Sequence, residues 1–389
     1  MSSPKQIVIV GGGYVGIQFA QDLAKLVPAS LVSITVIEKN EFSFHVIGLP
    51  RAFVDPSYVP KLFLPLAHAL PASHTKLIRA VADSIAGNEV RVRKIGDNHR
   101  PDEATTPIPF DYLVLATGSR STLPFKVSNH AYTRENVENA VVELAAAVKA
   151  AASVLIVGAG PVGLEVAGEI ASAYPDKTIT IVDANPKLVA HAGLTDKFRA
   201  SLAAKLAALQ IRVVLGERIV ARLTGHGFER QTVATDKGTQ LESDVQLLCV
   251  GMTPNVDLIK ALDPALVDDV RGIKVTTAMQ LDDPRFTNIF AIGDVSNHPT
   301  SKLAFTGALQ GKHLAKQLAK LIKKGDGQVD PFLATGPGAM ILPLGPSGGV
   351  AQLPFFGGVV AGDMVVRAAK AKDYFAGKFW ATWHAQIPN

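Results

Sequence analysis

The chain has 389 residues, 48% of them hydrophobic and 19% charged, with a formal net charge of +5. That length and apolar content exclude a disordered or fibrous protein and predict two or three domains with cores of their own. The basic residues are spread along the chain and not massed in one run, which makes nucleic acid an unfavoured partner. The single cysteine, Cys249, excludes an internal disulfide and a redox-active dithiol.

The first apolar strand starts within a few residues of Met1, leaving no room for a signal or transit peptide, and Ser2 stands where N-myristoylation needs glycine. No apolar run reaches about 18 residues, so no membrane-spanning helix is expected. The cytosol is the expected location, with attachment to a membrane surface left open.

Ile7 to Val10 reads as a strand, Gly11-Gly12-Gly13-Tyr14-Val15-Gly16 as a glycine turn, the next residues to Leu26 as a helix, and Val32 to Ile37 as a second strand. From Lys76 to Phe110 short strand-like pieces are broken by Gly87-Asn88 and a polar stretch, and Tyr112 to Gly118 closes the region. The opening unit recurs from Ser153: Val154 to Val157, then Gly158-Ala159-Gly160-Pro161-Val162-Gly163, a helix to Ala173 and a strand from Thr178 to Val182. Cys249 lies in the apolar run Val245–Val250 and is expected as a small buried strand residue. A strand ending in Gly293-Asp294 follows, then a helix from Leu303 to about Lys323. The Gly/Pro-rich region from Gly336 ends in one aromatic, basic, helix-like stretch from Met364 to Trp383.

A dinucleotide pyrophosphate needs backbone N–H groups aimed at it with no Cβ in the way, which a glycine turn entering a helix supplies. Gly11, Gly13 and Gly16 have that spacing, with Glu38 placed to accept from ribose hydroxyls; Gly158, Gly160 and Gly163 repeat it with Asp183. Each copy needs its own parallel sheet, so the fold class is α/β: two Rossmann-like dinucleotide-binding domains of the glutathione-reductase type, plus a small C-terminal α+β domain. The expected division is 1–120 with 255–335 for FAD, 121–254 for the nicotinamide cofactor, and 336–389 for the third domain. FAD is given to the first unit because the late Gly293-Asp294 strand completes its sheet, with Asp294 at the ribityl or phosphate end. Asp183, with no arginine after it, favours NADH; NADPH is less favoured.

Val8 to Gly13, Leu115-Ala116-Thr117-Gly118-Ser119, Val157 to Gly160 with Glu165, Cys249 to Asn255 and Ala291-Ile292-Gly293-Asp294 together resemble the two-dinucleotide pyridine nucleotide oxidoreductases. Within them the chain is most similar to the apoptosis-inducing-factor-like group, on the branch of mitochondrion-associated inducer of death, or ferroptosis suppressor protein, and its fungal relatives. Ser43-Phe44-His45 with Arg51, and Arg367 to Phe375, add to the likeness. The resemblance implies an FAD-dependent NAD(P)H oxidoreductase that passes electrons from NADH through FAD to a quinone-type acceptor. It puts His45, Arg51, Thr117 and Asp294 at FAD, Glu165 and Lys370 beside the flavin as catalytic groups, and Phe375 at the substrate. Lys39, Val81, Ala116, Gly118, Lys302, Ala304, Gly251 and Pro254 complete the cofactor-binding set; no metal is implied. It also implies peripheral contact with a membrane, at the mitochondrial outer face or a lipid droplet, although Ser2 departs from the myristoylated human-type pattern.

The residues by themselves leave alternatives open. Glu165 is in the first turn of a helix, where the dipole favours a carboxylate regardless of function. Lys370 stands among Arg367, Lys372 and Lys378 and reads also as a solvated face, whereas the resemblance implies that it reaches the flavin from the C-terminal domain, away from the domain of Glu165. His45 reads also as a packed loop histidine. Phe375, Phe379, Trp380 and Trp383 suit a membrane interface or a buried helix. Other functions that remain open are a flavin monooxygenase, whose signature Phe125–His130 lacks, a reductase or oxidase of secondary metabolism acting on an aromatic molecule, and an NADH-responsive signalling or DNA-binding protein. Oligomeric state is not legible.

Overall fold

The protein was analysed as a computed structural model that describes residues 3–121, 133–191, 193–221, 223–325, 327–333 and 338–388. Ser2, the Phe125–His130 segment and Gly336 lie outside the described residues.

Two parallel sheets carry the two glycine units. The first has the order Ile289–Ala291, Tyr112–Leu115, Lys5–Val10, Val32–Glu38, Thr75–Ala86, with Glu89–Lys94 and Thr106–Pro109 continuing it antiparallel. The second runs Arg212–Leu215, Thr178–Asp183, Ser153–Val157, Val245–Leu248, all parallel. Parallel strands are buried on both faces, which is why they read as unbroken Val/Ile/Leu runs; Ile7, Ile9, Ile34, Val36, Ile156 and Ile181 are all fully buried. As expected, the late strand joins the first sheet beside Tyr112–Leu115. Its following helix, Ala304–Lys324, packs on the first Rossmann helix, Tyr14–Leu26, where Gly307 and Gly311 face Val15 and Phe19 without a side chain between. The chain passes between the sheets twice, and there Ser119–Arg120 pairs antiparallel with Thr253–Pro254.

The C-terminal part is an antiparallel sheet, Met340–Pro343, Gly349–Leu353 and Val359–Ala361, followed by short helices. The expected single helix from Met364 to Trp383 is broken: Asp363–Val366 continues as a π-helical turn over Arg367–Ala371, Tyr374 and Phe375 are left-handed (φ 50° and 65°), and Ala376–Thr382 restarts. Asp373 makes the restart possible, because its carboxylate accepts from the backbone N–H of Phe375 and of Gly377, both at 3.0 Å. The aromatic residues there belong to the core and not to a membrane face. Trp383 is fully buried and donates to Ser43 Oγ (3.1 Å), Trp380 donates to the Lys61 carbonyl (3.0 Å), and Phe379 stacks on Tyr14 at 4.3 Å. No helix among the described residues is long and apolar enough to cross a membrane. Cys249 also departs from expectation, being half-buried one residue past its strand, where its N–H donates to the Val157 carbonyl.

The second Rossmann helix, Pro161–Ala173, is buried along most of its length because the C-terminal sheet covers it. A Cβ on Gly168 would run into the backbone of Leu344. Gly168→Val therefore forces the helix off that sheet, and the expected loss is about 1–3 kcal/mol in denaturant unfolding; wild-type stability would show that the contact is not close.

Candidate active site

The two glycine turns have nearly the same geometry. Gly13 and Gly160 cap their helices with φ −77° in both and ψ −170° and 175°. Gly11 and Gly158 have φ +112° and +118°, conformations that favour glycine, and a side chain would meet the Ala116 carbonyl at Gly11 and Val250 with the Cys249 carbonyl at Gly158. A Cβ on Gly16 or Gly163 would strike the carbonyl oxygen of the first glycine of its own turn. A Cβ on Gly13 or Gly160 would meet nothing within 4 Å, so no protein atom crowds either helix N-terminus at that position.

Both terminal acids hold the turn they follow. Glu38 accepts from Gly12 N–H at 2.6 Å and Asn40 N–H at 2.9 Å; Asp183 accepts from Ala159 N–H at 2.7 Å and Asn185 N–H at 2.7 Å. Each carboxylate keeps lone pairs for a ribose hydroxyl. Lys39, beside Glu38, is half-buried, and burial lowers its amine pKa to about 8. Val81, in the strand Thr75–Ala86, pairs with Arg93 of the neighbouring strand Glu89–Lys94.

At the passage between the sheets, Thr117 Oγ1 donates to the Asn255 carbonyl (2.9 Å) and Asn255 Nδ2 returns the bond to the Thr117 carbonyl (2.8 Å). Gly118 and Gly251 are left-handed with open space around them, and Pro254 pairs with Ser119. Asp294 accepts from Ser119 Oγ at 2.8 Å, and Gly293 N–H donates to Gln310 Oε1 at 2.7 Å. Ala304 begins its helix with no side-chain cap, leaving first-turn N–H groups available. Lys302 differs from expectation: its ammonium donates to the carbonyls of Arg271, Asp294 and Ser296, so it ties a loop together from within.

The largest departure from the sequence reading lies around Glu165. Lys370 Nζ donates to Glu165 Oε1 at 2.6 Å, with side-chain exposures of only 13% and 6%. The two groups are one ion pair, so Lys370, although it comes from the C-terminal segment, does not stand away from the domain of Glu165 as the resemblance implies. One helical turn on, Glu169 receives both Arg51 Nε (2.6 Å) and Nη2 (3.0 Å), and Tyr374 Oη donates to the same carboxylate at 2.9 Å. Arg51, expected at FAD, gives the second hydrogen of Nη2 to the Ala371 carbonyl (2.8 Å), and its Nη1 donors take no part in these bonds. Burial pushes the Glu165 carboxyl pKa up; Lys370 opposes that shift and the Glu169 charge adds to it. Tyr374 is driven well above the usual tyrosine range, first by burial and then by Glu169. Phe375, left-handed and half-buried, follows directly.

His45 is fully buried, with Nδ1 2.7 Å from Tyr14 Oη and Nε2 lacking a hydrogen-bond partner. Burial lowers its pKa to about 4, so it is neutral near pH 7. Asn40 Oδ1 and Asn255 Oδ1 are also buried without partners. Three unsatisfied buried polar atoms beside the first turn and the passage, with two open cradles, fit groups that bring hydrogen-bonding partners of their own. Glu169, Tyr374, Tyr14, Ser119, Asn255 and Gln310 are not among the site residues named from sequence, although four of them lie inside the quoted motifs. Of the other two, only Glu169 had a local signal, a second acid four residues after Glu165 on an apolar helix.

A family model described as pyridine nucleotide-disulphide oxidoreductase matches residues 5–311. Apoptosis-inducing factor homolog B of Dictyostelium discoideum is 28% identical, over 97% of this chain and 96% of its own length. Ferroptosis suppressor protein 1 of Homo sapiens is 27% identical over 100% and 98%. The sulfide:quinone oxidoreductase of Aquifex aeolicus matches with a TM-score of 0.77 over 98% of this chain and 92% of that one; at 17% identity the likeness shows the fold alone. The lone Cys249 means that no dithiol exchange accompanies that fold here. The chain belongs to the pyridine nucleotide-disulphide oxidoreductase family, and is an FAD-dependent NAD(P)H oxidoreductase similar to the apoptosis-inducing factor homologues.

Proposed function

We propose that the protein is an NADH:quinone-type oxidoreductase, and the observation that carries this reading is the buried Lys370–Glu165 pair, held between the second Rossmann helix and the C-terminal segment. The domain division we adopt is 1–120 with 255–335 for FAD, 121–254 for NAD(H) and 336–389 for the C-terminal domain. FAD, when bound, supplies the two-electron chemistry between nicotinamide and acceptor. Gly13 and Gly16 offer backbone N–H groups to its pyrophosphate, Gly11, whose own N–H donates to the Ile37 carbonyl, keeps the turn free of a side chain, Glu38 accepts from its adenosine ribose, and the Asn255, His45 and Asp294 polar groups serve the rest. Gly158, Gly160, Gly163 and Asp183 do the same for NADH.

Lys370 and Glu165 share one proton at Nζ and Oε1, which Lys370 can deliver to the oxygen of a reduced acceptor while Glu165 accepts a replacement. An ammonium also stabilises negative charge developing on that oxygen. Phe375 offers an aromatic face to a ring-shaped acceptor. Arg51 braces Glu169, and its Nη1 donors are the ones that would reach FAD, as the resemblance implies. The acceptor class is supported by the quinone named for the Aquifex protein and by the absence of a second cysteine to take electrons instead. A quinone dissolved in lipid implies peripheral membrane contact.

Gly13→Val is expected to fold normally, since its Cβ meets no protein atom, and to purify without the flavin that colours the wild type; a full FAD complement in the variant would refute the cradle. NADH should exceed NADPH in kcat/KM, because Asp183 accepts from a 2′-hydroxyl and repels a 2′-phosphate. Asp183→Ser should narrow that ratio, and a wild type indifferent between the two would remove the argument.

Lys370→Met should lower steady-state quinone reduction about 100-fold to 1,000-fold while leaving reduction of the bound flavin by NADH nearly intact. Loss of the ammonium also raises the Glu165 pKa further, so the acid limb of the pH–rate profile moves to higher pH. Stopped-flow kinetics that place the defect in the NADH step would contradict the assignment.

A further inference from the structure

From Pro331 to Gly362 the sequence has no Asp, Glu, Lys or Arg, in a chain that is 19% charged. The described part of this stretch forms the C-terminal sheet, and its last hairpin, Gly349–Leu353 to Val359–Ala361, turns through Pro354-Phe355-Phe356-Gly357-Gly358. Phe355 is 59% exposed and Phe356 is 99% exposed, more than any other large hydrophobic among the described residues. Val359, at the foot of the turn, is 42% exposed.

This turn is held firmly. Gly358 N–H donates to the Phe355 carbonyl at 2.9 Å, and Val359 N–H to the same oxygen at 3.2 Å. Beneath it the fully buried Gln352 accepts from Thr195 N–H and Oγ1 (2.8 Å each) and donates to the carbonyls of Gly193 (2.8 Å) and Gly338 (2.6 Å). Phe356 has φ +47°, a conformation disfavoured for a residue with a Cβ, followed by Gly357 and Gly358 at +77° and +99°. Backbone strain and an unburied aromatic ring thus coincide at one residue, and folding of this chain recovers neither.

We propose that the Phe355–Phe356 turn docks on a lipid bilayer, with both rings inserted at the boundary between headgroups and acyl chains. The proposal rests on the reading of a quinone-type, lipid-soluble acceptor. Two rings on a convex tip fit a deformable apolar phase, whereas a protein partner would have to supply a preformed pocket. The tip buries no charge on insertion, while the net charge of +5 attracts an anionic surface from a distance. The turn is also continuous with the proposed site, since Lys370 Nζ lies 3.4 Å from the Ile341 carbonyl and Ile341 pairs with Ala351 in the same sheet.

The test uses the full-length holoprotein and vesicles of phosphatidylcholine with phosphatidylglycerol. The wild type should co-sediment with them. A Phe355→Ser/Phe356→Ser variant should bind at least about tenfold more weakly, with unchanged turnover of NADH and a short-chain, water-soluble quinone and slower turnover of a long-chain quinone embedded in the vesicles. Phe356→Trp should retain binding and be quenched by brominated acyl chains, a readout that misfolding cannot imitate. Absence of vesicle binding by the wild type, undiminished binding by the serine variant, or an unquenched Trp would overturn the proposal. Self-association without vesicles that the serine substitutions abolish would overturn it too, by identifying a second copy as the occupant. Vesicle binding without any quinone turnover would sink the acceptor reading and leave the docking surface standing.

Discussion

Four charged side chains lie buried where three stretches of chain meet, and an apolar interior accepts them only as two complementary pairs. Arg51 comes from the segment after the first Rossmann unit, Glu165 and Glu169 from the second Rossmann helix, and Lys370 from the C-terminal segment, with Tyr374 completing the donors to Glu169. Such pairs are weak sources of net stability, because desolvation offsets most of the Coulomb gain; losing a single partner, however, leaves a stranded charge at a cost of about 3–5 kcal/mol. The arrangement therefore fixes position more than it adds stability. A shift of one segment by a helical turn would put Arg51 and Lys370 opposite the wrong acids, and the proposed proton pair would be dismantled with it.

A second device appears once in each Rossmann unit. The acid that ends the second strand binds the N–H of the residue after the first glycine, so one carboxylate anchors the turn and also faces the ribose position. Substituting Asp183 thus tests specificity and loop geometry together, which is why the NADH/NADPH ratio is more informative there than absolute rate.

Around these, the C-terminal segment is sewn to the first domain through side chains far apart in sequence. Gln21 donates to the carbonyls of Ala69 and Thr382, Tyr58 to that of Asp373, and the two tryptophans to Lys61 and Ser43. Aromatic residues that resembled a membrane belt are spent on this docking. Among the described residues the most exposed large hydrophobic is instead Phe356 at the hairpin turn, and nothing in the order of residues there distinguishes an exposed Phe from a buried one.

What the sequence by itself determined is whatever is encoded within about thirty residues: the two strand–turn–helix units, the acids that close them, the strand before Gly293 and the lack of a dithiol. Each of these follows from local rules, since a left-handed turn requires glycine at Gly11 and Gly158 and a buried parallel strand requires an unbroken apolar run. Only the tertiary structure decided which charges meet. The family resemblance placed Glu165 and Lys370 beside the flavin, yet their union, the capture of Arg51 by Glu169 and the inward turn of Lys302 come from segments 118 to 205 residues apart or from a loop closing on itself. No periodicity encodes such pairings, because the energy that selects them is the cost of burying a charge alone, and that cost arises only after the domains have packed.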